Sequence, residues 1–232
     1  MEVGKPVCSA DEAVADVFDG AVVMIGGFAL PGLAQELIKA LIRRGPRRLT
    51  TISNSAHGRI GTLYEAARLV EAGLVAKCIT SFPTWPSETS AVVSQHGEGR
   101  LEVETVPQGT LSERMRAAGS GIPAFWVRTG VGTLFETGKE KRVFDGQEYV
   151  LEHALPADFA LIKAKRADTL GNLVYDMTQR NHAPTMAMAA RVTIVEVDEV
   201  VEPGQLDPEA VVTPGIFVDR LVVVGGLPED GR

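Results

Sequence analysis

The chain has 232 residues, of which 45% are hydrophobic, and this is sufficient for the core of one large α/β domain. It carries 23 Lys and Arg residues against 30 Asp and Glu residues, which gives a formal net charge of −7. This acidic balance, with basic residues scattered apart from the arginines of segment 43–48, argues against nucleic-acid binding.

The first elements predicted along the chain are a short helix and a buried strand. Ser9 and Glu12 have the spacing of a capping box, which predicts the start of a helix. The unbroken apolar run 21–25 is rich in β-branched residues. Such a run is typical of a strand that is buried on both faces of a parallel sheet.

A glycine-rich turn follows this strand directly. Gly26, Gly27 and Gly32 carry no side chain and permit positive φ, so the backbone amides here can approach a ligand closely. A helix predicted from near Leu33 to Gly45 has its N-terminus beside the turn, where free N–H groups suit anionic or carbonyl oxygens. The spacing fits neither the dinucleotide fingerprint nor the P-loop, so nucleotide cofactors are not indicated. The alternative is that the glycines only shape the turn.

The next part of the chain alternates between predicted strands and helices. Strands are predicted at 49–53, 75–80 and 101–106, with helices at 62–70 and 87–95. Thr110 and Glu113 form a second capping box, which predicts a helix over 111–118. This alternation is typical of a mostly parallel open sheet with helices on both faces.

The second half contains a turn-rich excursion and further core strands. Segment 125–155 predicts a β-hairpin excursion from the sheet, and the core resumes with strands at 158–165 and 192–197. A turn at 168–172 and a tail with one or two short strands complete the prediction. Since no linker divides the sequence, we expect a single domain spanning residues 1–232.

The two cysteines bear on the cellular compartment. Cys8 and Cys78 lack C-x-x-C spacing and suggest no disulfide framework, so we expect a protein of the reducing cytoplasm. Segment 1–16 does not resemble a secretory signal, and the apolar run 21–34 is too short and too interrupted by glycine to span a bilayer. We therefore predict no membrane association.

Several ordered blocks resemble the α subunit of family I coenzyme A transferases. Segment 19–32 follows the first signature of that family, and segments 52–56 and 107–114 resemble its S-N-N-A and P-Q-G-T-L-x-E-R blocks. Further blocks agree in order at 119–125, 129–133, 158–164, 168–172, 192–197 and 213–218. The resemblance covers roughly residues 9–224 and implies the coenzyme A transferase fold.

The resemblance also implies a chemistry that needs a partner. Members of the family move coenzyme A between two carboxylic acids through a glutamyl-CoA thioester, and the glutamate belongs to the β subunit. No S-E-N-G segment occurs here, and Glu88, Glu148 and Glu152 lie in other contexts, as helix-face or strand-edge residues. The implied protein is thus the α subunit of a heterodimer or α2β2 enzyme for 3-oxoacids or related short-chain acids. Coenzyme A is a substrate, and no tightly bound cofactor or metal is expected.

Candidate binding residues follow from the same resemblance. Asn54 is the candidate donor to the substrate carbonyl, because an amide can stabilise an oxyanion without titrating; an Asx-turn is the alternative. Ser55 stands where the family has a second asparagine, and its shorter side chain could replace that amide only with a shorter reach. Gln108 either faces the cleft or braces the turn at Pro107, and we favour bracing. The loop residues implied to bind coenzyme A or substrate are Gly26, Gly27, Phe28, Ala29, Leu30, Pro31 and Gly32.

Departures from the family pattern leave alternatives open. Ala34 replaces the proline of the signature, and Ser55 replaces an asparagine, which leaves the substrate undefined. A non-catalytic module that binds acyl-CoA or organic acids is therefore the alternative function. A sugar-phosphate isomerase is a third hypothesis, since fold alone does not fix function, but no phosphate-binding cluster is apparent. His57 lies close enough to Asn54 in sequence to contact substrate, although contact with solvent is favoured, and the histidines lack metal-ligand spacing.

Overall fold

The computed structural model describes residues 4–56, 64–83 and 90–225. In these ranges the helices are α1 Ala10–Ala13, α2 Gln35–Arg44, α3 Ala66–Glu71, α4 Ala91–Gly97, α5 Gln108–Gly119 and α6 Ala183–Ala189. The strands are β1 Val22–Ile25, β2 Leu49–Ser55, β3 Val75–Phe82, β4 Glu102–Thr105, β5 Ala124–Val127, β6 Lys141–Phe144, β7 Gln147–His153, β8 Ala157–Asp168, β9 Leu173–Val174, β10 Ala190–Val201 and β11 Arg220–Val223. No helix of this described part is long and apolar enough to cross a membrane.

The main sheet is parallel along its whole path, in the order β11-β10-β8-β1-β2-β3-β4. Among the strands of this sheet in the described ranges, β9 alone is antiparallel, where it pairs with β8 beyond the end of β1. Strand β1 lies at the centre, with Ile25 in register with Ser53 on one side and Leu161 on the other. The chain thus leaves β1 where the strand order changes direction, a point at which open α/β sheets bind ligands.

Helices cover both faces of this sheet. Val23 and Ile25 of β1 belong to one buried cluster, together with residues of α1, α2 and α3. Met24 points to the opposite face and belongs to a second cluster with α5 and α6. This alternation follows from the period of two in a strand and explains why the run 21–25 is apolar throughout. The predicted open parallel sheet with helices on both faces is confirmed.

The excursion after α5 forms a small antiparallel sheet. β6 and β7 make the predicted hairpin, and β5 adds a third strand on the other side of β7. Its aromatic rings pack edge to face, with Phe144 between Trp126 and Tyr149, and the Arg142 guanidinium lies 5.4 Å from the centre of the Trp126 ring.

The two predicted capping boxes have different outcomes. At α1 the box is confirmed, because the Ser9 hydroxyl accepts from the Glu12 amide and the Glu12 carboxylate accepts from the Ser9 amide. The second box is wrong. Helix α5 begins at Gln108, three residues before the predicted start, and Thr110 lies inside it with Oγ1 buried and without a hydrogen-bond partner in the described structure. Pro107 is the N-cap, and its carbonyl already accepts from the Leu111 amide at 2.8 Å.

Helix α2 begins at Gln35, two residues later than predicted, and ends at Gly45 as predicted. Gly45 has φ of 68°, the left-handed conformation that glycine adopts readily at a helix end. The predicted starts of the next two helices, at 62 and 87, lie outside the described residues. Within the described part, α3 and α4 occupy the later portions of those predictions.

Candidate active site

The glycine-rich loop 26–32 connects the end of β1 to α2. The Gly26 amide donates to the Leu161 carbonyl of β8 at 2.9 Å, and a Cβ atom on Gly26 would lie only 3.2 Å from the Cα of Ile162. The Phe28 amide donates to the Pro31 carbonyl at 3.0 Å, which closes a tight turn. A larger residue at the first position of the loop would therefore require the neighbouring strand to shift by a few tenths of an ångström.

Gly27 is required by both its conformation and its surroundings. Its φ is 116°, and an added Cβ would lie 2.4 Å from Cδ2 of Leu33. We expect Gly27→Ala to lower the free energy of unfolding by about 1–3 kcal/mol, because of backbone strain and displacement of Leu33. Urea denaturation measures this. The control is Gly20→Ala, where φ is 84° but nothing lies within 4 Å, and the expected loss is about 1 kcal/mol. Equal losses in the two variants would contradict the packing argument.

The N-terminus of α2 is not free to bind a ligand, contrary to the sequence-based prediction. The amides of Glu36 and Leu37 donate to Oε2 of Glu196, at 2.8 and 3.3 Å. The predicted anion position is therefore filled by a carboxylate of the chain itself, which lies 160 residues away in sequence. In contrast, the amides of Ala29 and Leu30 donate to no acceptor in the described part of the chain.

Asn54 lies near the end of β2 and is almost fully buried, with 2% of its surface exposed. Its Oδ1 accepts from Gln108 Nε2 at 2.6 Å and from His182 Nε2 at 3.3 Å. These contacts are not those of an Asx-turn, which was the alternative considered from the sequence. Because Oδ1 has two donors, the amide is oriented with Nδ2 away from them, and Nδ2 has no acceptor among the described residues.

Gln108 and Ser55 differ in their relation to Asn54. Gln108 is the first residue of α5, and its side chain reaches Asn54 on β2 instead of bracing the Pro107 turn. Ser55 is the next residue of the strand, and successive strand side chains point to opposite faces. Ser55 thus belongs to the face opposite the Asn54–Gln108 pair. The structure brings Asn54 and Gln108 together and does not add Ser55 to them.

The segment before α6 was missed by the sequence analysis and closes over the loop. A 3-10 turn at Met177–Arg180 leads to Asn181, whose Nδ2 donates to the Pro31 carbonyl at 3.1 Å. A Cβ atom on Gly32 would lie 2.6 Å from that Nδ2. Pro184, in the first turn of α6, is a helix-start signal that could have identified this helix.

A cavity of about 630 Å³ opens between the loop and this turn. It is lined by Phe28, Pro31, Met177, Thr178, Arg180 and Asn181. Phe28 is 43% exposed and Met177 is 89% exposed, so the rim is apolar, and Arg180 supplies a positive charge. The ring of Phe28 lies 6.4 Å from the ring of His182, which links the cavity to Asn54.

Burial lowers the pKa of His182 below its ordinary value of about 6.5. The unfolded chain therefore takes up a proton at a higher pH than the folded protein, and the stability from neutral His182 is present above pH 6.5 and lost as pH falls. We expect His182→Phe, which keeps a ring beside Phe28, to weaken the acid-side decrease in unfolding free energy between pH 7 and 5. Urea denaturation across this range measures the slope. The matched control is His153→Asn, which replaces a histidine at an exposed site. An unchanged slope in His182→Phe would contradict the assignment.

Two of the three glutamates considered from the sequence lie in the described part of the chain. Both Glu148 and Glu152 lie in β7, the middle strand of the small sheet; Glu148 is exposed, and Glu152 is buried in an ion pair with Lys139. Glu88 and His57 lie outside the described residues. In the described part, no group of three or more His, Cys, Asp or Glu residues is arranged to hold a metal ion.

Comparison with known proteins identifies the family of this chain. Residues 7–224 match the family model for coenzyme A transferase. The chain is 50% identical over 225 residues to the A subunit of 3-oxoadipate CoA-transferase from Pseudomonas putida, covering 97% of this chain and 95% of that one. It is 49% identical to the A subunit of succinyl-CoA:3-ketoacid coenzyme A transferase from Xanthomonas campestris pv. campestris strain B100, covering 94% and 88%. The chain therefore belongs to the coenzyme A transferase family.

Solved structures extend the comparison to the fold. The apoenzyme of acyl-CoA transferase from Escherichia coli O157:H7 matches with a TM-score of 0.83 at 25% identity, over 97% of this chain. This chain spans 48% of that longer chain. A variant of the decarboxylase AibA/AibB matches with a TM-score of 0.78 at 28% identity, covering 97% of this chain and 84% of that one. The same fold therefore occurs in a protein named for decarboxylation.

Proposed function

We propose that this chain is the α subunit of a two-component coenzyme A transferase and that a separate β subunit supplies the catalytic glutamate. The observation that carries the proposal is the meeting of Asn54, Gln108 and the glycine-rich loop at one edge of the sheet. The match over nearly the full length of one component of a 3-oxoadipate CoA-transferase supports the division into two chains. The whole chain then acts as a single domain that contributes half of a shared site.

The contribution of this chain is to bind and polarise the thioester. A glutamate carboxylate of the partner attacks the carbonyl carbon of the acyl-CoA. The carbonyl oxygen becomes negatively charged and accepts a hydrogen bond from Asn54 Nδ2. Gln108 and His182 hold the Asn54 amide in the donating orientation. Collapse releases the CoA thiolate and leaves an acyl-glutamyl anhydride; the thiolate then attacks the glutamyl carbonyl, which releases the first acid and forms glutamyl-CoA. The reverse sequence transfers CoA to the second acid.

The cavity indicates the class of acid. Phe28, Pro31 and Met177 offer apolar surface for a short carbon chain, and Arg180 offers a guanidinium for a second carboxylate. Two relatives carry 3-oxoadipate and succinyl-CoA in their names, and both acyl groups derive from dicarboxylic acids. We therefore infer a short dicarboxylic or 3-oxo acid as substrate, with coenzyme A as the group transferred and no tightly bound cofactor. A cytoplasmic location suits the two free thiols, Cys8 and Cys78.

Trapping the thioester tests which chain carries the nucleophile. The chain is co-expressed with a coenzyme A transferase β subunit, and the complex is incubated with succinyl-CoA and then reduced with borohydride. We expect mass spectrometry to find the reduced glutamate on the β chain, and neither chain to transfer CoA by itself. A modified glutamate on this chain, or transfer without a partner, would contradict the proposal. Tight binding of acyl-CoA by the lone chain, without transfer by the complex, would favour the non-catalytic binding module.

A further inference from the structure

A buried pair of opposite charges lies under the start of α2. Glu196 of β10 is directly opposite Lys163 of β8 in the strand register, and the two residues are 3% and 5% exposed. Lys163 Nζ lies 3.7 Å from Glu196 Oε1 and 2.5 Å from Asp198 Oδ1. Both strands belong to the second half of the chain, whereas α2 belongs to the first.

Glu196 performs the capping that the local sequence of α2 does not provide. The N-cap of α2 is Ala34, which has no side chain able to accept a hydrogen bond. The Glu196 carboxylate accepts from the amides of Glu36 and Leu37 instead. Negative charge is favourable at a helix N-terminus, and Lys163 compensates its burial.

These contacts place the loop between two fixed ends. At its start, the Gly26 amide is bound to the Leu161 carbonyl of β8. At its end, the first turn of α2 is bound to Glu196 of β10. The segment between them carries Phe28 and the amides of Ala29 and Leu30, so a shift of either end moves these groups relative to Asn54.

We propose that Glu196 is a positioning residue that fixes the glycine-rich loop through the N-terminus of α2. This inference rests on the proposed function for its effect on catalysis, but the anchoring itself does not. A second consequence is that an anionic group of the substrate has no place at the α2 N-terminus, because Glu196 occupies it. Coenzyme A phosphates must then be bound by other groups.

The test removes the Glu196 carboxylate by mutation and supplies formate, a small carboxylate, in its place. In Glu196→Ala, the amides of Glu36 and Leu37 and the ammonium of Lys163 face a space in which formate can bind. We expect kcat/KM of the reconstituted transferase to fall about 10- to 100-fold, mainly through kcat, as expected for misplaced reacting groups. Formate should restore activity in a saturable way. Glu199→Ala, at an exposed position of the same strand, is the matched control. Formate should not change its transferase activity.

A readout without catalysis keeps the anchoring test independent of the proposed function. We expect formate to raise the Tm of isolated Glu196→Ala and to leave the Tm of the wild type and of Glu199→Ala unchanged. Assays of the wild type with formate also reveal whether formate acts as an acceptor acid. If Glu196→Ala does not fold, Glu196→Gln, which keeps an acceptor for the two amides, should fold and retain most of the wild-type activity. A folded Glu196→Ala with wild-type kcat/KM, a loss that formate does not reverse, or a folded Glu196→Gln whose activity falls about 10-fold or more would overturn the proposal.

Discussion

Asn54→Ala is expected to lower kcat/KM of the reconstituted transferase about 100- to 1,000-fold, the range observed when one oxyanion donor is removed. The reason is that Nδ2 has no acceptor among the residues that the structure describes, while Oδ1 of the same amide is held by Gln108 and His182. Steady-state kinetics of the two-subunit complex with succinyl-CoA measures the change. Because the donor acts on charge that develops during the reaction, the loss should fall on kcat more than on KM.

Asn54→Asp separates this role from packing. The side chain keeps its shape and can still accept from Gln108 and His182, but it cannot donate and it adds negative charge beside the developing oxyanion. We expect a folded protein with a loss of activity at least as large as that of Asn54→Ala. Thr50→Val, near the other end of β2, is the control and should retain activity. An active Asn54→Asp variant would show that Asn54 does not donate to the substrate.

The largest effect on stability is expected for Lys163→Met, with a loss of about 3–5 kcal/mol in the free energy of unfolding. Its ammonium lies between the carboxylates of Glu196 and Asp198, and its removal leaves the buried Glu196 without its cation and the half-buried Asp198 with Lys165 alone. Burial already raises the pKa of Glu196, an effect that Lys163 and the amides of α2 oppose. Urea denaturation of the isolated chain provides the measurement.

Lys165→Met is the matched control on the same strand. Lys165 also pairs with Asp198, at 3.0 Å, but its side chain is 48% exposed. An exposed pair of this kind contributes about 0–1 kcal/mol, so the two lysines should differ severalfold in their effect. Similar losses for both variants would mean that burial of the Lys163 ammonium has no special importance for stability.

Local patterns predicted those elements whose causes lie close together in the sequence. The apolar run 21–25, the capping box of Ser9 and Glu12 and the helix end at Gly45 were all correct, because each depends on neighbouring residues. The capping box predicted at Thr110 and Glu113 was wrong, and here too the cause is a neighbouring residue. Its spacing was right, but Pro107 set the helix start earlier, and Thr110 came to lie within the first turn.

The features of the site that were missed depend on distant residues. The cap of α2 is Glu196, 160 residues away, and nothing around Ala34 indicates it. Gln108 and His182, which contact Asn54, lie 54 and 128 residues away from it in sequence. The resemblance to a family identified Asn54 and Gln108 as candidates, but their contact, and the part played by His182, follow from the order of the strands.

The position of β1 has a consequence for how the protein folds. Strands β1 to β4 are neighbours both in sequence and in the sheet, so they can associate early, whereas the other side of β1 is completed only by β8, about 136 residues later. Until β8 arrives, β1 is an unpaired edge of buried residues, which invites association with other chains. A nascent chain that stops before β8 should therefore aggregate even though four strands of its main sheet are already made.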